Sequence, residues 1–246
     1  MNISEMLGEY ERDYALAMLG VEDFPYQKLS GKTIVVDGES EYMKLTVCMS
    51  LLALNDKEKL SIKVFMLGNG NELSEKLAER NDFSLCSYEQ AAATEYNFFI
   101  STGICGLELN GTSAEYCRIT NNFARAISTA KSCLERCILL SDYRVYGELE
   151  RGLVISENEA GFVPFSNNGD MSQTIAVSIE TYFSAYAKQF NLPTIILRSG
   201  ILLGAKAELP KNFTDELFSA VAEGKQISLP NTRKKYSFTY LNEVIH

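Results

Sequence analysis

Few residues of this chain could carry acid–base chemistry near neutral pH. The only histidine is His246, and no tyrosine is followed four residues later by a lysine. A phenol normally has a pKa of about 10, so it needs a nearby cation before it exchanges protons readily at neutral pH. Asp142, with Ser141 beside it, is the best remaining candidate. An aspartate after a strand either binds a polar ligand or forms a turn, and the sequence leaves both interpretations open.

Several tyrosines could approach a site around Asp142. They are Tyr143, Tyr146 and Tyr182, and no lysine or histidine is spaced to lower their pKa. Tyr182 and Tyr186 also fall on the apolar stripe of a helical pattern. We therefore expect these two rings to pack as core aromatics.

Metal-ligating and redox-active residues are sparse as well. The six cysteines include no C-x-x-C pair, and the single histidine is the last residue, so we expect no metal site. Cys133 and Cys137 lie four residues apart and could form a redox pair. Buried free thiols in a reducing cytosol explain the scattered cysteines better.

The composition argues against several classes of partner. A net charge of −9 and an isoelectric point near 4.8 disfavour nucleic acid, because phosphate binding needs clustered cations. The first residues, Met1 to Gly8, lack the cationic and apolar segments of a secretory signal. No apolar run approaches the roughly 20 residues of a membrane span. We expect a cytoplasmic globular protein.

Strand-like and helix-like segments alternate along the chain. The strand-like segments are Lys32–Val36, Ser61–Leu67, Tyr96–Ser101, Cys137–Ser141 and Thr194–Leu197. The helix-like segments are Leu45–Leu54, Ile119–Lys131 and Ser172–Phe190. Apolar strands that alternate with helices predict a parallel sheet covered on both faces, which is a Rossmann-like, doubly wound α/β fold.

In a doubly wound fold, ligands bind at the carboxyl ends of the strands. The turns after Val36, Leu67, Ile100 and Leu140 are therefore where we expect a site.

A set of short motifs, in a particular order and spacing, resembles the extended short-chain dehydrogenases/reductases. Within them the chain is most similar to the NAD-dependent nucleotide-sugar epimerases, dehydratases and decarboxylases. The motifs are Gln27–Val36, Val145–Glu148, Glu180–Thr181, Ala185–Pro193, Ile196–Gly200, Glu223–Ser228 and Tyr236–Val244. The resemblance implies three regions: a helical lead-in at 1–30, a dinucleotide-binding domain at 31–200, and a partial, apparently truncated substrate-binding region at 201–246.

The resemblance implies NAD or NADP as cofactor, held by a Gly-x-x-Gly-x-x-Gly turn after the first strand. The matching residues here are Gly38, Glu41 and Lys44, with Ser40 between the first two, so only the first glycine remains. Glu41 places a negative charge where a pyrophosphate would bind, at a cost on the order of 1 kcal/mol or more. Lys44 either turns toward phosphate or is solvated on the helix.

The resemblance places a ribose-binding residue near Gly68 and Asn69, after the second strand. Asn69 could donate one hydrogen bond to a ribose, but the Gly-Asn-Gly-Asn stretch is also typical of a turn.

The catalytic positions implied by the resemblance also carry unusual residues. In active relatives a tyrosine exchanges a proton with the sugar, a lysine lowers its pKa, and a serine or threonine orients the oxygen. Those positions fall on Ser172, Ala176 and Asp142 respectively.

Three functional hypotheses follow. The first is a catalytically degenerate member of the nucleotide-sugar epimerase/dehydratase family, kept as a binding or partner subunit beside an active homologue in polysaccharide synthesis. The second is an active oxidoreductase or epimerase with a rearranged site. The third is a structural protein whose helices Ile119–Lys131 and Ser172–Phe190 form a four-helix dimer interface. A nucleotide or nucleotide sugar is a possible ligand, whereas a dimer without ligand binding would favour the third hypothesis.

Overall fold

The computed structural model describes residues 25–147, 156–157, 171–204, 213–226 and 237–246. The predicted lead-in therefore lies mostly outside the described residues, as do the ends of the motifs Val145–Glu148 and Glu223–Ser228. Six parallel strands form the main sheet, in the order β3-β2-β1-β4-β5-β6. Their bounds are β1 Thr33–Asp37, β2 Lys63–Leu67, β3 Phe83–Cys86, β4 Tyr96–Ser101, β5 Cys133–Asp142 and β6 Thr194–Ser199.

Helices connect these strands. They are α1 Glu41–Glu58, α2 Glu72–Leu77, α3 Tyr88–Ala93, α4 Ser113–Ser128 and α5 Ser172–Phe190, with 3-10 turns at Tyr26–Leu29, Thr129–Ser132 and Tyr143–Tyr146. Two short strands, β7 Ile201–Leu203 and β8 Phe238–Tyr240, pair in parallel as a separate sheet. Helices α6 Phe213–Ala222 and α7 Leu241–Ile245 complete the described elements. The predicted doubly wound fold is confirmed.

Alternate residues of each strand pack on opposite faces of the sheet, as the pleat requires. Ile34 and Val36 of β1 pack in the cluster that contains α1, whereas Val35 packs in the cluster that contains α4 and α5. A third, smaller cluster joins Met43 of α1 to Leu241 of α7. Because both faces of the sheet are covered at β1, the consecutive residues Ile34, Val35 and Val36 are all buried.

Some predicted boundaries differ from those in the structure. Helix α4 begins at Ser113, six residues before the predicted Ile119, because Thr112 caps it by accepting a hydrogen bond from the Glu115 amide at 3.2 Å. Its first turns are exposed and polar, so apolar periodicity does not reveal them. Strand β5 begins at Cys133 instead of Cys137. Strand β3, with only four residues, was not predicted.

None of the helices in the described part of the chain has the length and apolar character that a membrane span requires.

Candidate functional site

An open cleft of about 840 Å³ lies at the carboxyl ends of β1, β2 and β3. The β1–α1 turn lines it with Asp37, Gly38 and Glu39, and α1 contributes Lys44. The β2–α2 turn adds Gly68, Asn69 and Gly70, and the β3–α3 region adds Ser87, Tyr88, Glu89 and Gln90. Glu75 of α2 and the side chains of Asn122 and Arg125 on α4 complete the rim. The cleft is therefore at the strand edge where the sequence predicts a site.

The first residue of the cofactor-like motif, Gly38, is confined by its neighbours. Its φ of +151° disfavours any residue with a side chain. A Cβ at Gly38 would lie 1.9 Å from Oγ1 of Thr102, a fully buried residue that follows β4. The turn therefore requires glycine at this position whatever the cleft binds.

The second and third motif positions hold an ion pair. Ser40 caps α1, because its Oγ accepts a hydrogen bond from the Met43 amide at 3.3 Å, and Glu41 is the first helical residue. Lys44 Nζ lies 2.9 Å from Glu41 Oε2 and donates to the Leu67 carbonyl oxygen at 3.1 Å. The side chain of Lys44 is 8% exposed, so the solvated interpretation was wrong. The buried Lys44 ammonium group has hydrogen-bond partners, because it donates to the carbonyl oxygen of Leu67, the last residue of β2.

Glu39, which sequence reasoning missed, joins the β1–α1 turn to the β4–α4 region. Its carboxylate accepts hydrogen bonds from Arg118 and, at 3.0 Å, from Asn122 Nδ2. Its amide donates to the Gly103 carbonyl oxygen at 3.0 Å. These bonds cross between β1 and β4, the place where the strand order reverses. No sequence signal marks Glu39, because its partners lie far along the chain.

Asp37, the last residue of β1, was also missed. It is 6% exposed, and burial raises the pKa of its carboxyl group to about 7. Lys44 and the Gly38 amide oppose this shift, while the nearby Glu39 adds to it. Ser101 Oγ lies 3.4 Å from Asp37 Oδ2. The cleft therefore contains a carboxyl group that titrates near neutrality, which is a common property of functional sites.

The predicted ribose-binding residue, Asn69, lies on the rim of the cleft, in the turn after β2. Gly68 beside it has a φ of +99°. Glu75 of α2 also lines the cleft.

The predicted catalytic positions lie towards the β6 edge of the sheet, on β5 and α5. Asp142 caps the 3-10 turn Tyr143–Tyr146, accepting from the Arg144 amide at 2.8 Å and pairing with Arg144 Nε at 2.7 Å. Ser172 begins α5. Ala176 is 2% exposed and packs in the core between the sheet, α4 and α5. Helix α5 packs against the 3-10 turn, and Ala176 has no group that could exchange a proton.

A polar cluster that sequence reasoning missed lies beside these positions. Ser141 donates to Glu180 Oε1, and Arg198 Nη2 of β6 lies 2.8 Å from Glu180 Oε2. The Arg198 guanidinium also covers the Tyr146 ring at 4.9 Å. Glu180 is 8% exposed, so this cluster satisfies a buried carboxylate and ties α5 to β5 and β6.

The aromatic side chains of α5 only partly follow the prediction. Tyr182 is 43% exposed, so its assignment to the core was wrong. Its ring packs edge-on against Phe123 of α4, at a centroid distance of 6.4 Å, and stacks with Tyr186 at 6.3 Å. Tyr186 is partly buried and contacts Phe190, which is 43% exposed. The outward face of α5 therefore carries an aromatic ladder.

Within the described residues, no group of three or more His, Cys, Asp or Glu side chains is arranged to hold a metal ion. Five described cysteines carry free thiols; Cys48, Cys86, Cys105 and Cys137 are buried, while Cys117 is exposed.

No protein-family model matches the sequence, and a comparison with curated proteins gives no match. Solved structures do match. The UDP-glucuronic acid 4-epimerase of Bacillus cereus, in complex with UDP-glucuronic acid and NAD, is 16% identical with a TM-score of 0.63; the match covers 87% of this chain and 70% of that one.

Two further solved structures give similar values. A UDP-N-acetylglucosamine 4-epimerase of Methanobrevibacter ruminantium, in complex with UDP-N-acetylmuramic acid, is 16% identical over 88% of this chain and 71% of its own, with a TM-score of 0.64. A dTDP-glucose 4,6-dehydratase of Streptomyces venezuelae with NAD bound is 14% identical over 87% and 69%, also with a TM-score of 0.64. The chain therefore has the fold shared by nucleotide-sugar 4-epimerases and 4,6-dehydratases.

Proposed function

We propose that this protein is a non-catalytic binding or partner subunit, built on the fold of the nucleotide-sugar epimerases and dehydratases, that works without a dinucleotide cofactor. We place it in the cytoplasm, beside an active homologue in nucleotide-sugar or polysaccharide metabolism. The observation that carries this proposal is the ion pair between Glu41 and Lys44 at the two positions where the resemblance implies glycines.

The residues of the β1–α1 turn do not fit the pyrophosphate of NAD or NADP. A pyrophosphate needs free amides and little side-chain volume at a helix N-terminus. Here the Met43 amide already donates a hydrogen bond to the Ser40 hydroxyl oxygen, and the Lys44 side chain extends to the Leu67 carbonyl. Lys44 is already neutralised by Glu41, so it offers no unpaired charge to phosphate. Glu39 and Asp37 add carboxyl groups beside the same turn.

The residues at the implied catalytic positions support the same proposal. Ala176 has no group to lower the pKa of a phenol, and Ser172 is a poor proton donor in place of tyrosine. Asp142 is held by Arg144 in an ion pair of 2.7 Å. Proton exchange with a sugar hydroxyl would therefore lack both its acid and the cation that tunes it.

The test is an activity assay with NAD or NADP and the nucleotide sugars that its structural neighbours act on or bind: UDP-glucuronic acid, UDP-N-acetylmuramic acid and dTDP-glucose. We expect no epimerised, dehydrated or oxidised product, while a 4-epimerase assayed in parallel gives product. Turnover that Asp142→Asn or Ser172→Ala abolishes would overturn the proposal and establish an active enzyme with a rearranged site.

The exposed aromatic ladder of α5 favours a role in association. Tyr182, Tyr186 and Phe190 lie on one face of the helix, and two of them are 43% exposed. Helices α4 and α5 pack against each other, with the Tyr116 hydroxyl 3.3 Å from Ser178 Oγ and the Tyr186 hydroxyl donating to the Ser128 carbonyl at 3.2 Å. A packed helix pair with outward aromatic rings suits a dimer or heteromer contact.

A further inference from the structure

We infer that β6, an edge strand of the main sheet, pairs in antiparallel fashion with β6 of a second copy of this chain, so that the two sheets join across a two-fold axis. This contact lies at the edge of the sheet, and it does not depend on what the cleft binds.

The two edges of the main sheet differ in length and in exposure. At one edge, β3 has four residues, of which only Ser84 is exposed. At the other edge, β6 has six residues and four of them are exposed, including Ile195 at 41% and Leu197 at 47%. Among the described residues, β6 pairs only with β5. A long apolar edge strand is a template for pairing with another chain unless charges, a proline or a bulge protect it. The one charged residue of β6, Arg198, is paired with Glu180 and gives little protection.

The backbone of β6 directs alternate residues away from β5. The Cys137 amide donates to the Pro193 carbonyl oxygen at 2.8 Å, and Cys137 lies level with Thr194. In a parallel pair, a residue that bonds to both neighbours of its register partner leaves the amide and carbonyl of that partner pointing the other way. The amides and carbonyls of Thr194, Ile196 and Arg198 therefore point away from β5. These are the groups that a further strand would bond.

The side chains of β6 are self-complementary about Ile196. A two-fold axis at this residue places Ile196 opposite Ile196 of the second copy, and it places Ile195 opposite Leu197 twice. Thr194 then lies opposite Arg198, so no like charges face each other. The backbone groups of Thr194, Ile196 and Arg198 meet as hydrogen-bonded pairs, and the Ile195–Leu197 pairs are of the closer, non-hydrogen-bonded kind.

Other registers fit the same strand less well. An axis at Leu197 places Ile195 opposite Ser199 and Ile196 opposite Arg198, so it sets apolar side chains against polar ones. An axis at Ile195 places Leu197 opposite Pro193 and shortens the paired segment. The axis at Ile196 is therefore the one that matches both backbone and side chains.

The exposed side chains of β6 continue an apolar surface of the fold. The register partners of Ile195 and Leu197 are Ile138 and Leu140 of β5. Leu140 is buried in the cluster that joins α1 to α7, and Ile138 packs against that cluster. Ile195 and Leu197 extend this surface to the edge of the sheet, where Leu197 and Ile195 of the second copy would cover it.

The expected association is weak. One pair of short strands buries less than the roughly 1,200 Å² of a standard interface. The net charge of −9 on each copy also opposes association at low salt. We therefore expect a dissociation constant in the micromolar range.

The experiment is sedimentation of the full chain over a range of concentrations at low salt. Ile195→Lys with Leu197→Lys, the like-charge variant, sets positive charges opposite each other twice and should raise the dissociation constant at least about 100-fold. Ile195→Lys with Leu197→Glu, the opposite-charge variant, removes the same apolar side chains. It should associate at least about tenfold more tightly than the like-charge variant, because opposite charges then face each other.

A matched control is available on α6. Phe218→Lys with Val221→Lys adds two positive charges in place of side chains that are 62% and 68% exposed. This variant should associate as the wild type does, since neither residue lies on β6.

Amide hydrogen exchange of the wild type gives a readout that needs no variant. The amides of Thr194, Ile196 and Arg198 should gain protection as the protein concentration rises through the dissociation constant. The amides of Ile195 and Leu197, which face β5, should be protected at every concentration. This alternation is specific to pairing along β6.

Any of four results would overturn the inference. The wild type stays monomeric up to millimolar concentration, the like-charge and opposite-charge variants associate equally, or the amides of Thr194, Ile196 and Arg198 gain no protection. The fourth is association that Tyr182→Ser with Phe190→Ser abolishes and the like-charge variant does not, which would assign the contact to α5. Failure of the proposed function is recognised separately, by NAD binding or nucleotide-sugar turnover.

Discussion

At the scale of single residues, Asp37 is the group whose ionisation the fold opposes. Burial raises its pKa from 3.8 to about 7, although Lys44 acts in the other direction. The folded protein thus binds this proton more tightly than the unfolded chain does. The resulting stability is fully present below pH 3.8 and is lost as the pH rises through about 7.

Asp37→Asn keeps a neutral side chain at every pH. We expect the variant to be more stable than the wild type above pH 7, by roughly 2–4 kcal/mol, and to show a flatter pH dependence between pH 4 and 7. Urea unfolding at several pH values measures this. Glu79→Gln, an exposed change, is the control and should leave the wild-type profile intact. An unchanged profile in Asp37→Asn would show that another group causes the pH dependence.

Lys44 provides the second prediction at the residue scale. Lys44→Met removes the bonds to Glu41 and to the Leu67 carbonyl, and it leaves both acceptors without their cation. We expect a loss of about 1–3 kcal/mol in the free energy of unfolding. Lys57→Met, an exposed change in the same helix, should cost less than about 0.5 kcal/mol. Equal losses of unfolding free energy in the two variants would mean that the buried bonds of Lys44 do not stabilise the fold.

At the scale of elements, the β1–α1 turn depends on one glycine. Gly38→Ala would combine a φ of +151° with a Cβ only 1.9 Å from Thr102 Oγ1. Gly31→Ala is a control, because its φ is +69° and no atom lies within 4 Å of its Cβ. We expect about 1 kcal/mol for Gly31→Ala and at least about 2 kcal/mol more for Gly38→Ala, measured by urea unfolding.

A second change separates the two costs at Gly38. Thr102→Ala removes the clashing hydroxyl, so it should restore part of the stability lost in Gly38→Ala, though not the part due to φ. If Thr102→Ala restores nothing, the contact with Thr102 is not what excludes a side chain.

The elements themselves were largely predictable, because their signals are local. Apolar runs identified five of the six strands of the main sheet, and the pattern Ser172–Phe190 gave the bounds of α5 as the structure has them. The polar first turns of α4 and the four residues of β3 carry no such signal. The start of α4 depends on the local Thr112 cap, which an apolar pattern does not show, and β3 depends on its pairing with β2, which is a tertiary contact.

The candidate site was less predictable than the elements. The sequence located the β1–α1 turn and the weak fit of Glu41, but not the role of Lys44, since its partner Leu67 lies 23 residues away. The hydrogen-bond partner of Asp37, Ser101, is 64 residues away along the chain, and that of Glu39, Asn122, is 83 residues away. For Tyr182 the sequence predicts too much burial. The apolar stripe of the helix includes this residue, but it lies at the solvent-exposed side of the stripe.

At the scale of the whole molecule, the helix pair α4–α5 provides a test of association. Tyr182→Ser with Phe190→Ser replaces two side chains that are each 43% exposed, so the fold should lose little stability. If this face forms a dimer, the dissociation constant should rise at least about tenfold, as measured by sedimentation over a range of concentrations. Phe218→Ser on α6, where the ring is 62% exposed, is the matched control. A wild-type protein that is monomeric at all concentrations would rule out self-association.

The central claim for the whole molecule is that a fold shared with NAD-dependent enzymes here holds no dinucleotide. Calorimetric titration with NAD and NADP, together with an absorbance scan of the purified protein for retained dinucleotide, tests it most directly. We predict no binding heat at millimolar cofactor and no nicotinamide absorbance, because Glu41 and Lys44 fill the turn that would hold the pyrophosphate. Micromolar binding would contradict the account and would show that this turn holds pyrophosphate in another way.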